Sequence, residues 1–314
     1  MKKRNVAAGI LVVFLLAALT GCGAEKMPAK EEAAGGVAVV LSGSASDGAF
    51  NQLTREGSRA VAEENGWRFA YKENITEEEQ LETIRSLAKE GYTTIIGQGG
   101  QFGESLAVAA EEFPDAKFIF SVGNVTYDLP NLSAVTIDYY EAGYIGGVLA
   151  ALSTKTKQVA MITGEFYENH RLMESGFQKG VRDVDPSVTV QSFTTGDWGN
   201  AGIADEVAEK VISQGFDVLF PCLDAAGIGV ATAAKVHDVK IVGSVADYAR
   251  EYDAADVTVG SVVYDWHVLG QLEAGGSLAD GGVHIIGKDD GGLSVVINKE
   301  LTPEQKARFD ELIP

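Results

Sequence analysis

Beyond residue 36 the chain alternates short apolar, β-branched runs with amphipathic stretches of helical period. This is the pattern of parallel strands joined by crossover helices. Strands are expected at Val37–Leu41, Trp67–Tyr71, Thr93–Ile96, Lys117–Val122 and Ser133–Ile137, with helices at Gln52–Glu64, Glu77–Glu90 and Glu104–Glu112. A second series follows: helix Glu141–Ser153, strand Gln158–Ile162, helix Arg171–Val181, strand Thr189–Phe193, helix Gly202–Gln214, strand Asp217–Phe220, helix Gly227–His237 and strand Lys240–Gly243. Runs such as VAVVL, FIFS and VAMI are almost continuously apolar, as strands covered on both faces must be. The reading is an α/β protein of two doubly wound parallel-sheet lobes rather than one large sheet, because so long a chain exceeds the usual size of a single core. Ligands in such sheets bind beyond the carboxyl ends of the strands, which directs the search to the loops after Leu41, Gly97, Val122, Ile162, Phe193, Phe220 and Gly243.

The first residues break the pattern. Lys2, Lys3 and Arg4 precede an apolar run, Val6–Leu19, shorter than the ~20 residues of a membrane span. It ends in Leu19-Thr20-Gly21-Cys22, which resembles the lipobox of bacterial lipoproteins. That resemblance implies a signal peptide over residues 1–21, lipidation of Cys22 and a body held on the extracytoplasmic face of the cell membrane. Residues 22–36 are small and charged without an apolar period, and are expected to form a tether.

Composition narrows the function. Of 314 residues, 25 are Lys or Arg and 45 are Asp or Glu, a formal charge of −20, the wrong sign for gripping nucleic acid. Cys22 and Cys222 are too few for a disulfide framework or a four-thiolate zinc site. There is no HExxH, GxSxG or Walker A motif, and His170, His237, His267 and His284 are scattered, so no catalytic or metal cluster and no cofactor is expected. Gly97-Gln98-Gly99-Gly100-Gln101-Phe102-Gly103 invites a dinucleotide reading, but Phe102 falls where close helix packing requires Gly or Ala. Gly99 is instead a position where backbone can approach a ligand or form a tight strand-to-helix turn. Cys222 ends a buried strand and reads as a structural thiol.

Two loops stand out. Ser42–Gln52 delivers Asp47, Phe50 and Asn51 to one helix N-terminus, and Phe50 can act either as a staple on its own lobe or as a platform for a heteroaromatic ring. Thr195–Asn200 offers Trp198 from the other lobe. Two aromatics across a cleft would grip a planar ring, with Asp47, Asn51, Asp197, Asn200, Asp224 and Asp247 available to hydrogen-bond ring edges or sugar hydroxyls.

At these residues the chain resembles the basic membrane protein family of lipoproteins, related to the purine nucleoside receptor of ABC importers. Asp47-Gly48-Ala49-Phe50-Asn51-Gln52 is similar to its DxSFNQ segment, Tyr144–Thr156 to YxAGxLAAxxTKT, and Gly176–Gly180 to GFxxG. The resemblance spans about Val37 to Asn298. It implies a type I periplasmic-binding-protein fold without catalysis, with a three-crossing hinge near Asp138–Glu141, Val245–Tyr248 and Gly281–His284. Residues 37–138 plus 248–282 would form the N-terminal lobe, and 139–247 plus 283–314 the C-terminal lobe. Phe50 and Trp198 become the stacking faces, Asp47 and Asn51 the base contacts, and Asp247 a ribose contact. Gly99, Asp224 and Tyr264 complete the candidate site. In two places the chain departs from the family: Tyr264 stands at the family's sugar-binding lysine, and Val245 at the first acid of its GVDxDQ segment. The function expected is a lipid-anchored solute-binding protein taking a small-molecule ligand, a nucleoside or similar heterocycle, to ABC permease subunits. The alternatives are a membrane-tethered regulatory lipoprotein of the same family and a secreted hydrolase on the same lobes.

Overall fold

The computed structural model describes residues 35–47, 50–265, 268 and 281–314, so the signal, Cys22 and nearly all of the tether lie outside the described residues. Strand β1 (Gly36–Leu41) is wholly buried, because both faces of its sheet are covered. Val37, Val39 and Leu41 enter one apolar cluster, whereas Ala38 and Val40 enter another on the opposite face. Helix α1 (Phe50–Glu64) lies on the first face. Helices α2 (Glu77–Lys89) and α3 (Gly103–Glu112) lie on the second through Ile84, Leu87, Leu106 and Ala109. With β2 (Arg68–Lys72), β3 (Thr94–Gln98), β4 (Lys117–Ser121), β5 (Leu132–Ile137) and β11 (Val283–Ile286) they build a sheet in the order β2-β1-β3-β4-β5-β11, parallel throughout.

The second sheet repeats this order as β7-β6-β8-β9-β10-β12. Its strands are β6 (Gln158–Thr163), β7 (Thr189–Thr194), β8 (Val218–Cys222), β9 (Lys240–Val245), β10 (Thr258–Tyr264) and β12 (Leu293–Ile297), the last antiparallel to β10. Helices α4 (Tyr139–Ser153) and α5 (Glu168–Val184) cover one face, and α6 (Ala201–Ser213) and α7 (Gly227–His237) the other. The short α8 (Tyr248–Glu251) follows β9, and α9 (Pro303–Leu312) closes the chain.

The strand and helix positions expected from periodicity agree with those observed to within a few residues. The lobe boundaries need correction in the last third of the chain. β10, assigned to the N-terminal lobe by the 248–282 boundary, pairs with β9 and β12 in the second sheet. β11, assigned to the C-terminal lobe, pairs with β5 in the first. The chain crosses at Asp138, again between Tyr264 and Gly281, and finally over Gly287–Gly292; Val245–Tyr248 is not a crossing but the end of β9 and the start of α8. The first and last crossings are tied together. The Asp138 N–H donates to the Ile286 carbonyl (3.0 Å), and the Lys288 N–H donates to the Glu141 carboxylate (2.8 Å).

Two of the family-like segments are structural. Gly143 and Gly147 of α4 face Gly176 and Gly180 of α5, and a Cβ on any of them would run into backbone of the opposite helix. Thr154-Lys155-Thr156 wraps the Asp217 carboxylate, which accepts from the Thr154 hydroxyl (2.5 Å) and from the Lys155 and Thr156 N–H groups (2.6 and 3.0 Å).

Candidate ligand site at two strand switch points

Strand order reverses direction between β1 and β3 in the first sheet and between β6 and β8 in the second. The crevice outside such a reversal is where open α/β sheets bind ligands, since neighbouring loops there diverge to opposite faces. At the first switch point the loop after β1 is held by Glu73, whose carboxylate accepts the Ala45 N–H (2.7 Å), and by the Asn74 N–H donating to the Gly43 carbonyl (3.1 Å). Asp47 accepts from the Asn51 N–H, the Asn51 side-chain amide and the Gln52 N–H at 2.9–3.0 Å. These donors belong to the first turn of α1, so the carboxylate serves the loop and the helix terminus together. Asn51 is buried with its Nδ2 bound to Asp47, and its Oδ1 has no hydrogen-bond partner among the described residues. Phe50 is half-buried and packs on the core cluster, satisfying the staple reading while part of its surface stays accessible.

Gly99 adopts φ 121°, a conformation open essentially to glycine, and its N–H donates to the Ser121 carbonyl (3.2 Å). Phe102 is fully buried against Gly97, which removes the dinucleotide reading: the ring fills the space where a third glycine would let a helix approach the strand. Just before Gly99, Gln98 is fully buried, and neither polar atom of its side chain has a partner among the described residues; the same holds for the Ser121 hydroxyl.

At the second switch point the turn after β6 presents Tyr167, 57% exposed. The Trp198 ring is stacked with Tyr167 (6.1 Å between centroids, 20°), tilted against His170 (4.7 Å), and lies over Gly164, where no side chain would fit. His170 is buried, and desolvation pushes its pKa down to about 4, so the imidazole is neutral at physiological pH. Within the loop around Trp198, Asp197 accepts from the Gly199 and Asn200 N–H groups (both 2.8 Å), and Asn200 caps α6 through the Gly202 and Ile203 N–H groups, while the Trp198 carbonyl accepts from the Ala226 N–H (3.1 Å).

Asp224, after β8, differs from the other candidate acids. None of the hydrogen bonds among the described residues reaches its carboxyl. Burial, reinforced by the negative charge of Asp47, pushes its pKa up to about 7. That influence joins the two switch points, because Asp47 follows β1 and Asp224 follows β8. Tyr252 feels both acids, its phenol raised first by burial and then by Asp47 and Asp224. Asp247 caps α8 (Ala249 N–H, 3.2 Å) and accepts from the Asn298 amide (3.2 Å). Tyr264 is buried edge-on against Tyr139 (6.0 Å) within the core, so its ring acts in packing. Cys222 is buried with its thiol pushed up to about 12 by desolvation, an inert packing group as expected.

Of the six polar side chains expected to face a ligand, Asp47, Asp197, Asn200 and Asp247 are therefore engaged in holding loops and helix ends. Asn51 keeps one free acceptor, and Asp224 keeps its carboxyl. Gln98, Ser121, Tyr167 and His170 were not among the candidates. Gln98 lay unselected inside the glycine motif, and Tyr167 within a loop already marked for search. Two strained residues mark the same rim: Val122 (φ 64°) and Val245 (φ 71°) follow or end β4 and β9, which hold the same place in the two sheets. A β-branched residue rarely adopts this conformation, and such strain concentrates at ligand-binding surfaces.

Two doubly wound parallel-sheet lobes joined by repeated crossings, each with a switch point at its strand ends, are a frame on which solute-binding proteins hold a substrate without transforming it. Residues 35–313 match the sequence profile of the Bmp family, PnrA-like substrate-binding proteins of ABC transporters, and the chain belongs to that family. It is similar to the ABC transporter nucleoside-binding protein BmpA of Lactococcus lactis, 27% identical over 243 residues, spanning 75% of this chain and 69% of that one. It is also similar to the transcriptional activator protein med of Bacillus subtilis, 25% identical over 278 residues, spanning 88% and 85%. Among solved structures, a solute-binding protein of an ABC transporter system from Conexibacter woesei shares the fold with a TM-score of 0.71 at 23% identity, covering 89% of this chain and 95% of that one.

Proposed function

We propose that this protein is a lipid-anchored receptor that captures a purine nucleoside or similar heterocyclic solute between its lobes and delivers it to an ABC permease. The observation that carries this reading is the pairing of an aromatic wall, Trp198 with Tyr167, in one lobe with unpartnered amide and hydroxyl groups at the switch point of the other. A flat ring offers a π face to the first and a hydrogen-bonding edge to the second. Phe50 would supply the opposing face, with Asn51 on the edge of the base. The relative from Lactococcus lactis, named for nucleoside binding, supports the same class.

Tryptophan fluorescence of ligand-free protein, titrated with adenosine, guanosine, inosine and cytidine, tests the reading. A saturable change is expected with at least one purine nucleoside and is expected to disappear in Trp198→Leu. No response to any of the four overturns nucleoside binding.

The anchor is tested separately. Cys22→Ser is expected to abolish incorporation of a labelled fatty acid and to release the protein from the membrane fraction; retention of the label disproves lipidation at Cys22.

A regulatory role without transport is the second reading, favoured by similarity to the med activator over a larger share of the chain than to the nucleoside-binding relative. Permease and ATPase genes beside this one would support import, and their absence would favour regulation.

A further inference from the structure

On the face toward α1, β3 carries Thr94, Ile96 and Gln98 and β4 carries Lys117, Ile119 and Ser121, with Ile96 and Ile119 in the core. Gln98 and Ser121 are paired in register, so both side chains leave the sheet on that face at its C-terminal edge. Both residues are 0% exposed, and all three of their side-chain polar atoms lack a hydrogen-bond partner among the described residues. Asn51, at the start of α1, adds a buried Oδ1 in the same condition.

Burying a polar group without a partner is unfavourable, and an apolar residue in its place would carry no such penalty. The three side chains lie at the reversal of strand order, on the ends of β3 and β4 and on the first turn of the helix after β1. Their chemistry is specific. Asp47 holds the Asn51 Nδ2 and so presents Oδ1 as an acceptor in a fixed direction. Gln98 offers a donor and an acceptor side by side in one plane, and Ser121 offers a hydroxyl that can serve as either. None of the three ionises, so the trio is matched to a neutral partner.

We infer that Gln98, with Ser121 beside it and Asn51 on the first turn of α1, determines specificity by reading the neutral edge of a heterocycle on which a hydrogen-bond donor and acceptor are adjacent, as in a lactam or an amidine. This rests on the solute lying between the lobes, and it extends the proposed function by naming the edge recognised. A planar amide complements such an edge with two parallel hydrogen bonds. A ring lacking the donor leaves part of the trio unpaired and is rejected for that reason.

Gln98→Met keeps the length and removes both polar atoms; Ser121→Ala is the smaller second variant. The probes are inosine (a lactam), purine riboside (the same ring without the adjacent donor) and hypoxanthine (the lactam without sugar), read by calorimetry on ligand-free protein, with Tm measured alongside. Wild-type protein is expected to bind inosine at least roughly tenfold tighter than purine riboside. Each variant is expected to reduce that ratio while its ligand-free Tm stays the same or rises. Equal binding of inosine and purine riboside by wild type overturns the inference. A fall in Tm in both variants does so too, since it would show these groups satisfied within the fold. Hypoxanthine binding that depends on Gln98, without inosine binding, upholds the inference while removing nucleosides from the proposed function. Nucleoside binding indifferent to both variants does the reverse, and silence of all three probes overturns the inference.

Discussion

Gly176→Ala and Gly147→Ala are expected to destabilise the protein by about 3 kcal/mol or more each, the upper range for overpacking, seen as a lower urea midpoint. The cause is backbone against backbone. A Cβ on Gly176 would meet the Tyr140 carbonyl and the Tyr144 nitrogen, and one on Gly147 would meet the Phe177 carbonyl and the Val181 nitrogen. A side chain in the way could rotate aside, but here the two helices themselves must separate. That movement would open the core made by Ile145, Leu149, Met173 and Phe177 over the second sheet. Gly100→Ala is the control: a Cβ there meets nothing within 4 Å, and the unfolding free energy is expected to change by less than about 0.5 kcal/mol. Similar losses at all three positions would refute close helix approach as the reason for the glycines.

Between pH 5 and 8, Asp224→Asn is expected to become progressively more stable than the parent protein, and the difference curve follows from linkage. In the folded protein burial and the Asp47 charge raise the Asp224 pKa from 3.8 to about 7. Between those values the folded state holds a proton that the unfolded state has released, so stability falls as pH rises through 7. The shift of roughly three pH units sets a ceiling of about 4 kcal/mol, and partial access of solvent to the carboxyl reduces it to about 2 kcal/mol. The Asp47 oxygens accept donors at the start of α1. The other titratable groups acting on or feeling Asp224 are Tyr139, Cys222, Tyr248 and Tyr252, all raised by burial and neutral in this range.

His170 acts in the opposite direction. Its pKa falls from 6.5 to about 4 in the folded protein, so the unfolded state binds the extra proton between those values and stability rises with pH there. The two slopes offset one another below pH 6.5. The parent protein should therefore look flat in acid and lose stability only between about pH 6.5 and 7.5. In Asp224→Asn the rising limb from His170 should emerge. A difference curve between variant and parent that is level from pH 5 to 8 would show that Asp224 is ionised throughout and does not face Asp47 at close range.

Much of the architecture is readable along the chain because its causes are local. β1 is VAVVL flanked by polar turns, and α2 carries Thr76 and Glu79 in a capping box, the N-terminal signal that a helix leaves in its own sequence. The family-like segments were readable for the same reason, although two of them hold helices and loops rather than ligand. Phe102 is a further case: one bulky residue at a position needing a small one argued against a dinucleotide site, and the buried ring bears this out.

The sequence by itself determined the alternation of strands and helices, the doubly wound lobes, the polar loop after β1 and the absence of the tested catalytic motifs, all from patterns a few residues long. Only the tertiary structure decided that β10 and β11 exchange lobes, and that Asp47, Asp197, Asn200 and Asp247 hold loops while the Gln98 side chain and the Asp224 carboxyl have no hydrogen-bond partner among the described residues. Pairing across a sheet or between lobes joins residues far apart in the chain. No local periodicity records which distant partner satisfies a carboxylate, or which buried amide is left without one.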